Sequence, residues 1–264
     1  MLLFLDHYFL EGFMLLTPFR SAKLLGLNYH VINKVELFEV IKQQVSSNEP
    51  LNVYNLNVHA VNLSFTDLAY REVLNSGDLI FVDGAGVKLG AKILGLEVGQ
   101  RMTPMDWLDE LFSLATLHHW PLFLLGDETE QGIAFAEQLK KRHPECPFVG
   151  HHHGFFNRDN HENDAVVDLI NQSGAKIVLV GMSMPIQEKW IAANAHKLTA
   201  PVKIATGAFH RVYTGNISRG PKWMTDNGLE WLYRLFVEPK KTWRRYVLGN
   251  PLFLIRILKA KLFG

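Results

Sequence analysis

The chain has 264 residues, 48% hydrophobic and 20% charged, a balance that supports a sizeable buried core and excludes wholesale disorder or a small stapled scaffold. Its single cysteine, Cys146, permits no internal disulfide and no cysteine-based metal motif, which fits a reducing, cytoplasmic compartment. The formal net charge of +1 hides an asymmetry: residues 219–264 hold ten Lys/Arg against three Asp/Glu, or +7, leaving 17 against 23, or −6, before Arg219.

At the N-terminus, MLLFLDHYFLEGFMLLTPF is apolar but broken by Asp6, His7 and Glu11. It lacks the positive start and small-residue cleavage site of a signal peptide, so residues 1–26 are expected to be an apolar extension outside the fold. No segment supplies the ~20 consecutive apolar residues that cross a bilayer. From Leu27 onward short apolar runs alternate with helical-period stretches. Strands are expected at Asn52–Val61, Asp78–Val82, Pro121–Leu125, Pro147–Gly150, Lys176–Val180 and Val202–Thr206. Helices are expected at Lys34–Val45, Ser64–Asn75, Val87–Leu94, Pro104–His118, Glu130–Arg142, Glu162–Gln172 and Pro185–Lys197. Such alternation predicts an α/β fold, a Rossmann-like and mostly parallel sheet flanked by helices. Residues 27–210 would form this domain, and residues 211–264 a basic, aromatic-rich appendage.

In a parallel sheet, ligands collect outside the carboxyl ends of the strands, where helix N-termini favour anions. Four expected strands end in glycine-containing turns: DGAGV, GDETE, GMSMPIQE and GAFH. Glycine there allows close backbone approach to a ligand, and equally serves a tight turn. Asp83, directly after LIFV, is placed to accept a proton or bind a hydroxyl, or else to cap the next segment. In QRMTPMDW, Arg101 offers a planar fork for phosphate, and Asp106 suits either a ligand or the dipole of a helix start. Pro185 starts a helix whose first turn carries Gln187, able to read a base or sugar hydroxyl, and Glu188, which also matches the dipole.

The run His151-His152-His153 does not read as a metal centre, because neighbours in an extended segment face opposite sides and no second ligand cluster has helical spacing. No Asp-x-Asp occurs, so a diphosphate would be neutralised by Arg, Lys and helix N-termini, with neither metal nor cofactor expected. Dinucleotide, Walker and nucleophile-elbow glycine motifs are also missing.

Together, DGAGV at Asp83, MPIQE at Pro185 and TGNISRGPKWMTDNGLEWLYRLFVEPKKTWRR resemble the WecG/TagA/CpsF family of bacterial glycosyltransferases, glycosyltransferase family 26. The resemblance runs from about Leu27 to Tyr246. It implies a GT-E-like fold and metal-independent, inverting transfer of a sugar, typically N-acetylmannosamine and in some members glucose, from a UDP-sugar donor. The acceptor would be a polyprenyl-diphosphate-linked sugar at the inner face of the cytoplasmic membrane, in cell-surface polysaccharide assembly. It further implies that Asp83 is the catalytic base and that Arg101 is a pocket arginine. Asn62, through a strand end matched to Ala60-Val61-Asn62, and Gln187 would orient substrates. Arg219, Arg234, Arg244 and Arg245 are candidates for neutralising the diphosphate. The chain departs from the family pattern at Ala60, Pro104, His210 and Gly220.

In the tail, Trp231, Arg234, Leu235 and Glu238 fall at helical spacing, which suits packing on the body. The basic excess continues through Lys240, Lys241, Arg244, Arg245, Arg256, Lys259 and Lys261. Each basic residue near an anionic leaflet is worth about 1 kcal/mol, so the tail is expected to dock on an anionic membrane surface. Two other classes compete. A catalytically silent nucleotide-sugar or lipid-diphosphate binder would explain the departures at Ala60 and His210. A nucleic-acid binder ranks last, because the body is acidic and no binding motif is present.

Overall fold

The computed structural model describes residues 19–263. Most of the expected N-terminal extension, residues 1–18, lies outside the described residues. The described chain opens with a hairpin, β1 (Ser21–Leu24) and β2 (Leu27–His30), that the sequence did not reveal. Its turn, Leu25-Gly26, has φ of 51° and 82°, the doubly positive backbone that lets a two-residue loop follow the twist of its strands. Next come α1 (Lys34–Ser47), β3 (Leu51–Leu56), α2 (Val58–Ser64), α3 (Leu68–Asn75), β4 (Leu79–Val82), α4 (Ala85–Leu94) and α5 (Pro104–Leu117). The second half holds β5 (Leu122–Leu125), α6 (Thr129–Arg142), β6 (Phe148–His152), α7 (His161–Gln172), β7 (Ile177–Val180), α8 (Ile186–Asn194) and β8 (Val202–Ala205). The tail is helical: α9 (Phe209–Tyr213), α10 (Lys222–Asp226), α11 (Glu230–Val237), α12 (Pro239–Trp243), a π-helical turn at Arg244–Leu248, and α13 (Gly249–Phe263).

Strands β3 to β8 form one sheet in the order β4-β3-β8-β7-β5-β6, with every pairing parallel. Alternate residues of β4, β3, β5 and β7 enter two separate cores. Tyr54, Ile80, Phe123 and Val178 pack with α2, α3, α7 and α8, whereas Val53, Phe81, Leu124 and Leu179 pack with α1, α5 and α6. Burial on both faces is why LIFV, LFLL and IVLV read as unbroken apolar runs instead of alternating. This is the expected α/β architecture.

The largest departure from the sequence reading follows β3. The strand expected to reach Val61 stops at Leu56, because Asn57 caps a helix: its Oδ1 accepts from the Ala60 N–H at 3.0 Å. Ala60-Val61-Asn62 is therefore helical and forms no strand end. The helix expected from Ser64 begins only at Leu68, where Asp67 accepts from the Tyr70 N–H.

The tail returns to the body at its far end. Phe253 and Ile257 of α13 are buried in the core that contains α4. A Cβ on Gly90 of α4 would lie 2.6 Å from Phe253, so glycine permits that helix contact. Asn62 of α2 adds a latch, donating to the Gly249 carbonyl at 2.7 Å and accepting from Arg256, whose guanidinium also lies over the Phe65 ring.

Candidate active site

The carboxyl ends of β4, β3, β8 and β7 open into a cleft of about 900 Å³. The body contributes Asn57, His59, Asp83, Gly84, Arg101 and Gln187, and the tail covers it with Glu230, Arg234, Lys241, Arg244 and Arg245. The volume suits a large polar ligand.

Asp83 leaves β4 at the point where α4 begins. Its N–H donates to Leu56 O at 2.9 Å, and its carboxylate Oδ2 accepts from Asn57 Nδ2 at 3.3 Å. Burial raises the Asp83 carboxyl from 3.8 to about 6, with the Asn57 hydrogen bond and Arg245 opposing and Glu230 and Asp106 reinforcing. At neutral pH such a group is ionised yet more basic than a free aspartate. Gly84 caps α4 with φ of 87° and no side-chain cap. A Cβ there would meet nothing within 4 Å, so the start of α4, whose Gly84, Ala85 and Gly86 line the cleft, is open to it as anion-binding helix starts are.

Arg101, Arg234, Arg244 and Arg245 all line this cleft, as their sequence positions had suggested. Arg234 Nη2 stands 3.4 Å from Glu238 Oε2, and Arg245 lies over the Tyr246 ring. Gln187 also lines it, fully buried: its Oε1 accepts from the Gly207 N–H at 3.0 Å and its Nε2 donates to Glu188 Oε1 at 2.7 Å. Asn62 reaches the cleft wall, but its amide is engaged by α13.

Three candidates stand behind the wall. Glu188 is fully buried, and burial pushes its carboxyl up to about 7 against the Gln187 hydrogen bond. Asp106 accepts from the Thr103 N–H at the start of α5 and pairs with Arg219. Although burial works against it, those partners hold the Asp106 carboxyl below its ordinary value. Asp106 and Arg219 line a smaller neighbouring cavity of about 270 Å³ with Lys222 and Asp226.

Sequence reasoning did not mark Asn57, His59 or Glu230, and Lys241, expected at a membrane surface, lines the cleft instead. An Asn directly after an apolar run is a cap signal, and it was available at Asn57. His59 gave no signal; burial and neighbouring Arg245 push its imidazole down to about 4, so it is neutral at physiological pH. The departure at His210 has a structural explanation: its Nε2 lies 2.5 Å from Asp127 Oδ2, and Arg211 grips the same carboxylate. Despite burial, those two hold Asp127 well below the usual carboxylate range. Among the described residues no three His, Cys, Asp or Glu side chains converge on a metal site, the histidine run included.

The parallel sheet thus carries an acidic strand end under an arginine-rich helical cover. Residues 22–264 match the family model described as Glycosyl transferase WecG/TagA/CpsF family, and the chain belongs to that family of glycosyltransferases. Its curated relatives include the proteins named N-acetylglucosaminyldiphosphoundecaprenol N-acetyl-beta-D-mannosaminyltransferase from Staphylococcus aureus strains MRSA252 and NCTC 8325 / PS 47. Each is 29% identical over 243 residues, covering 91% of this chain and 93% of the relative.

Proposed function

We propose that this glycosyltransferase moves a sugar, of the N-acetylmannosamine type or glucose, from a UDP-sugar to a polyprenyl-diphosphate-linked sugar, with inversion and without a metal. The observation that carries the reading is the Asp83 carboxylate, lifted by burial and set in a cleft that Arg101, Arg234, Lys241, Arg244 and Arg245 also line. The names of the S. aureus relatives, an N-acetyl-beta-D-mannosaminyltransferase with an N-acetylglucosaminyldiphosphoundecaprenol substrate, support the same class of acceptor.

In this mechanism Asp83 takes the proton of the acceptor hydroxyl as its oxygen attacks the anomeric carbon. The bond from that carbon to the diphosphate breaks, its electron pair leaves with UDP, and attack from the opposite face inverts the centre. Arg101, Arg234, Arg244, Arg245 and the α4 N-terminus offset the charge that grows on the diphosphate. Gln187 fixes the Gly207 turn beside the substrates, and Asn62 acts through the α13 helix it holds. Asp106, Glu188 and Arg219 support the pocket from behind.

The described residues contain no helix long and apolar enough to cross a membrane. Peripheral attachment at the inner leaflet is supported by α13, which exposes Leu252, Ile255, Leu258 and Leu262 beside Lys259 and Lys261. The departures at Ala60 and His210, which suggested a silent binding protein, do not border the cleft. The deciding experiment presents a panel of UDP-sugars with a synthetic polyprenyl-diphosphate sugar and identifies the lipid product by mass. A product one sugar heavier, with UDP released, is expected; no product with any donor would defeat the proposal.

A further inference from the structure

Two contacts fix where α11 begins. Gly228 has φ of 74°, and a Cβ on it would lie 2.4 Å from the Ala85 Cβ. The tail therefore abuts the first residue of α4, two positions beyond Asp83. From the other side Arg219 pairs with Asp106 of α5 and brings its Nη2 to 3.9 Å from Glu230 Oε2. Arg101 Nη2 stands 3.9 Å from the other oxygen of Asp106, so a chain of alternating charge runs Arg101, Asp106, Arg219, Glu230. Its last member lines the same cleft as Asp83.

We propose that Glu230 is a positioning residue for the transfer reaction: the seated tail brings its carboxylate into the cleft that Asp83 lines, where it supports the proton-accepting role of Asp83. The inference rests on the assignment of Asp83 as base. It links cover and chemistry, since the base is fully tuned only when α11 is in place. Asn57 from the β3–α2 junction bonds to Asp83; Glu230 from α11 and Arg245 from the π-helical turn share its cleft with His59, Arg101, Arg234, Lys241 and Arg244, while Asp106 of α5 acts from behind the wall. Of the charged ones Glu230 weighs most, after burial and the Asn57 hydrogen bond. Glu230 also lies in the first turn of α11, where any carboxylate suits the helix dipole. A dipole role would alter stability and leave the titration of Asp83 in place.

The test is the pH dependence of kcat/KM for sugar transfer by the full chain, compared with Glu230→Gln and Glu230→Asp. Glu230→Gln is expected to move the acidic limb down by roughly half a pH unit, the effect of losing a like charge across a partly wet cleft. Glu230→Asp, which keeps the charge, is expected to leave the limb near its original position. An unmoved limb in Glu230→Gln overturns the inference. Where that variant turns over too slowly to profile, NMR titration of the Asp83 carboxyl, identified by difference with Asp83→Asn, reads the same shift without activity. If Asp83→Asn itself retains turnover, the base assignment falls and this inference with it. If Asp83→Asn is inactive and the Glu230→Gln limb is unmoved, only the inference falls.

Discussion

Asp83 occupies a position that costs stability, and that cost separates a functional carboxylate from a helix cap. Its folded-state value of about 6 lies above the 3.8 of an ordinary aspartate. The protonated group therefore favours the fold below about pH 4, and this contribution is lost as pH rises through 6. Asp83→Asn is accordingly expected to unfold at an equal or higher temperature than wild type at pH 7.5, while losing most of its turnover; calorimetry with an activity assay checks both. Lower stability together with retained turnover would identify a cap. The cleft arginines act differently. Replacing Arg244 or Arg245 with Gln is expected to lower kcat/KM about ten- to a hundredfold by removing a charged hydrogen bond to phosphate, with the fold intact. Steady-state kinetics across UDP-sugar concentration reads that loss.

At the scale of elements, α2 joins Asp83 to the tail. Asn57 at its head holds Asp83, and Asn62 near its end holds Gly249 and Arg256. The apolar spacing of residues 52–61 suits a strand, and only the cap at Asn57 shows where the chain turns into a helix. The match of Asn62 to a strand end failed for that reason, although Asp83, placed by an unambiguous apolar run, was legible. Glu230 was not legible as a site residue because its meaning depends on the packing of Gly228 on Ala85, a contact between positions far apart in the chain. The α4–α13 contact has a direct test: Gly90→Leu puts a side chain where Phe253 and Ile257 already lie. The overpacked helix is expected to destabilise the protein by about 1–3 kcal/mol, measured by denaturant unfolding.

Over the whole molecule, the sequence announced an acidic α/β body and a basic tail, and the sheet order with its two cores bears out the body. It did not announce the β1–β2 hairpin, whose turn Leu25-Gly26 carries only one of the residues that favour positive φ. The tail arginines named from the resemblance, Arg234, Arg244 and Arg245, line the cleft because the tail folds back to cover it. The exposed face of α13 gives the membrane proposal its test. Ile255→Glu with Leu258→Glu, both half-exposed, is expected to abolish co-sedimentation with anionic vesicles while leaving the unfolding temperature unchanged; undiminished sedimentation would count against docking by this face. The central claim is that Asp83 removes the acceptor proton in a sugar transfer. The most direct measurement is the kcat/KM of wild type from pH 4.5 to 8, with mass-identified lipid product and Asp83→Asn run in parallel. An acidic limb centred near 6 and an inactive variant are expected; a limb near the ordinary aspartate value, or near-normal transfer by Asp83→Asn, would contradict that role.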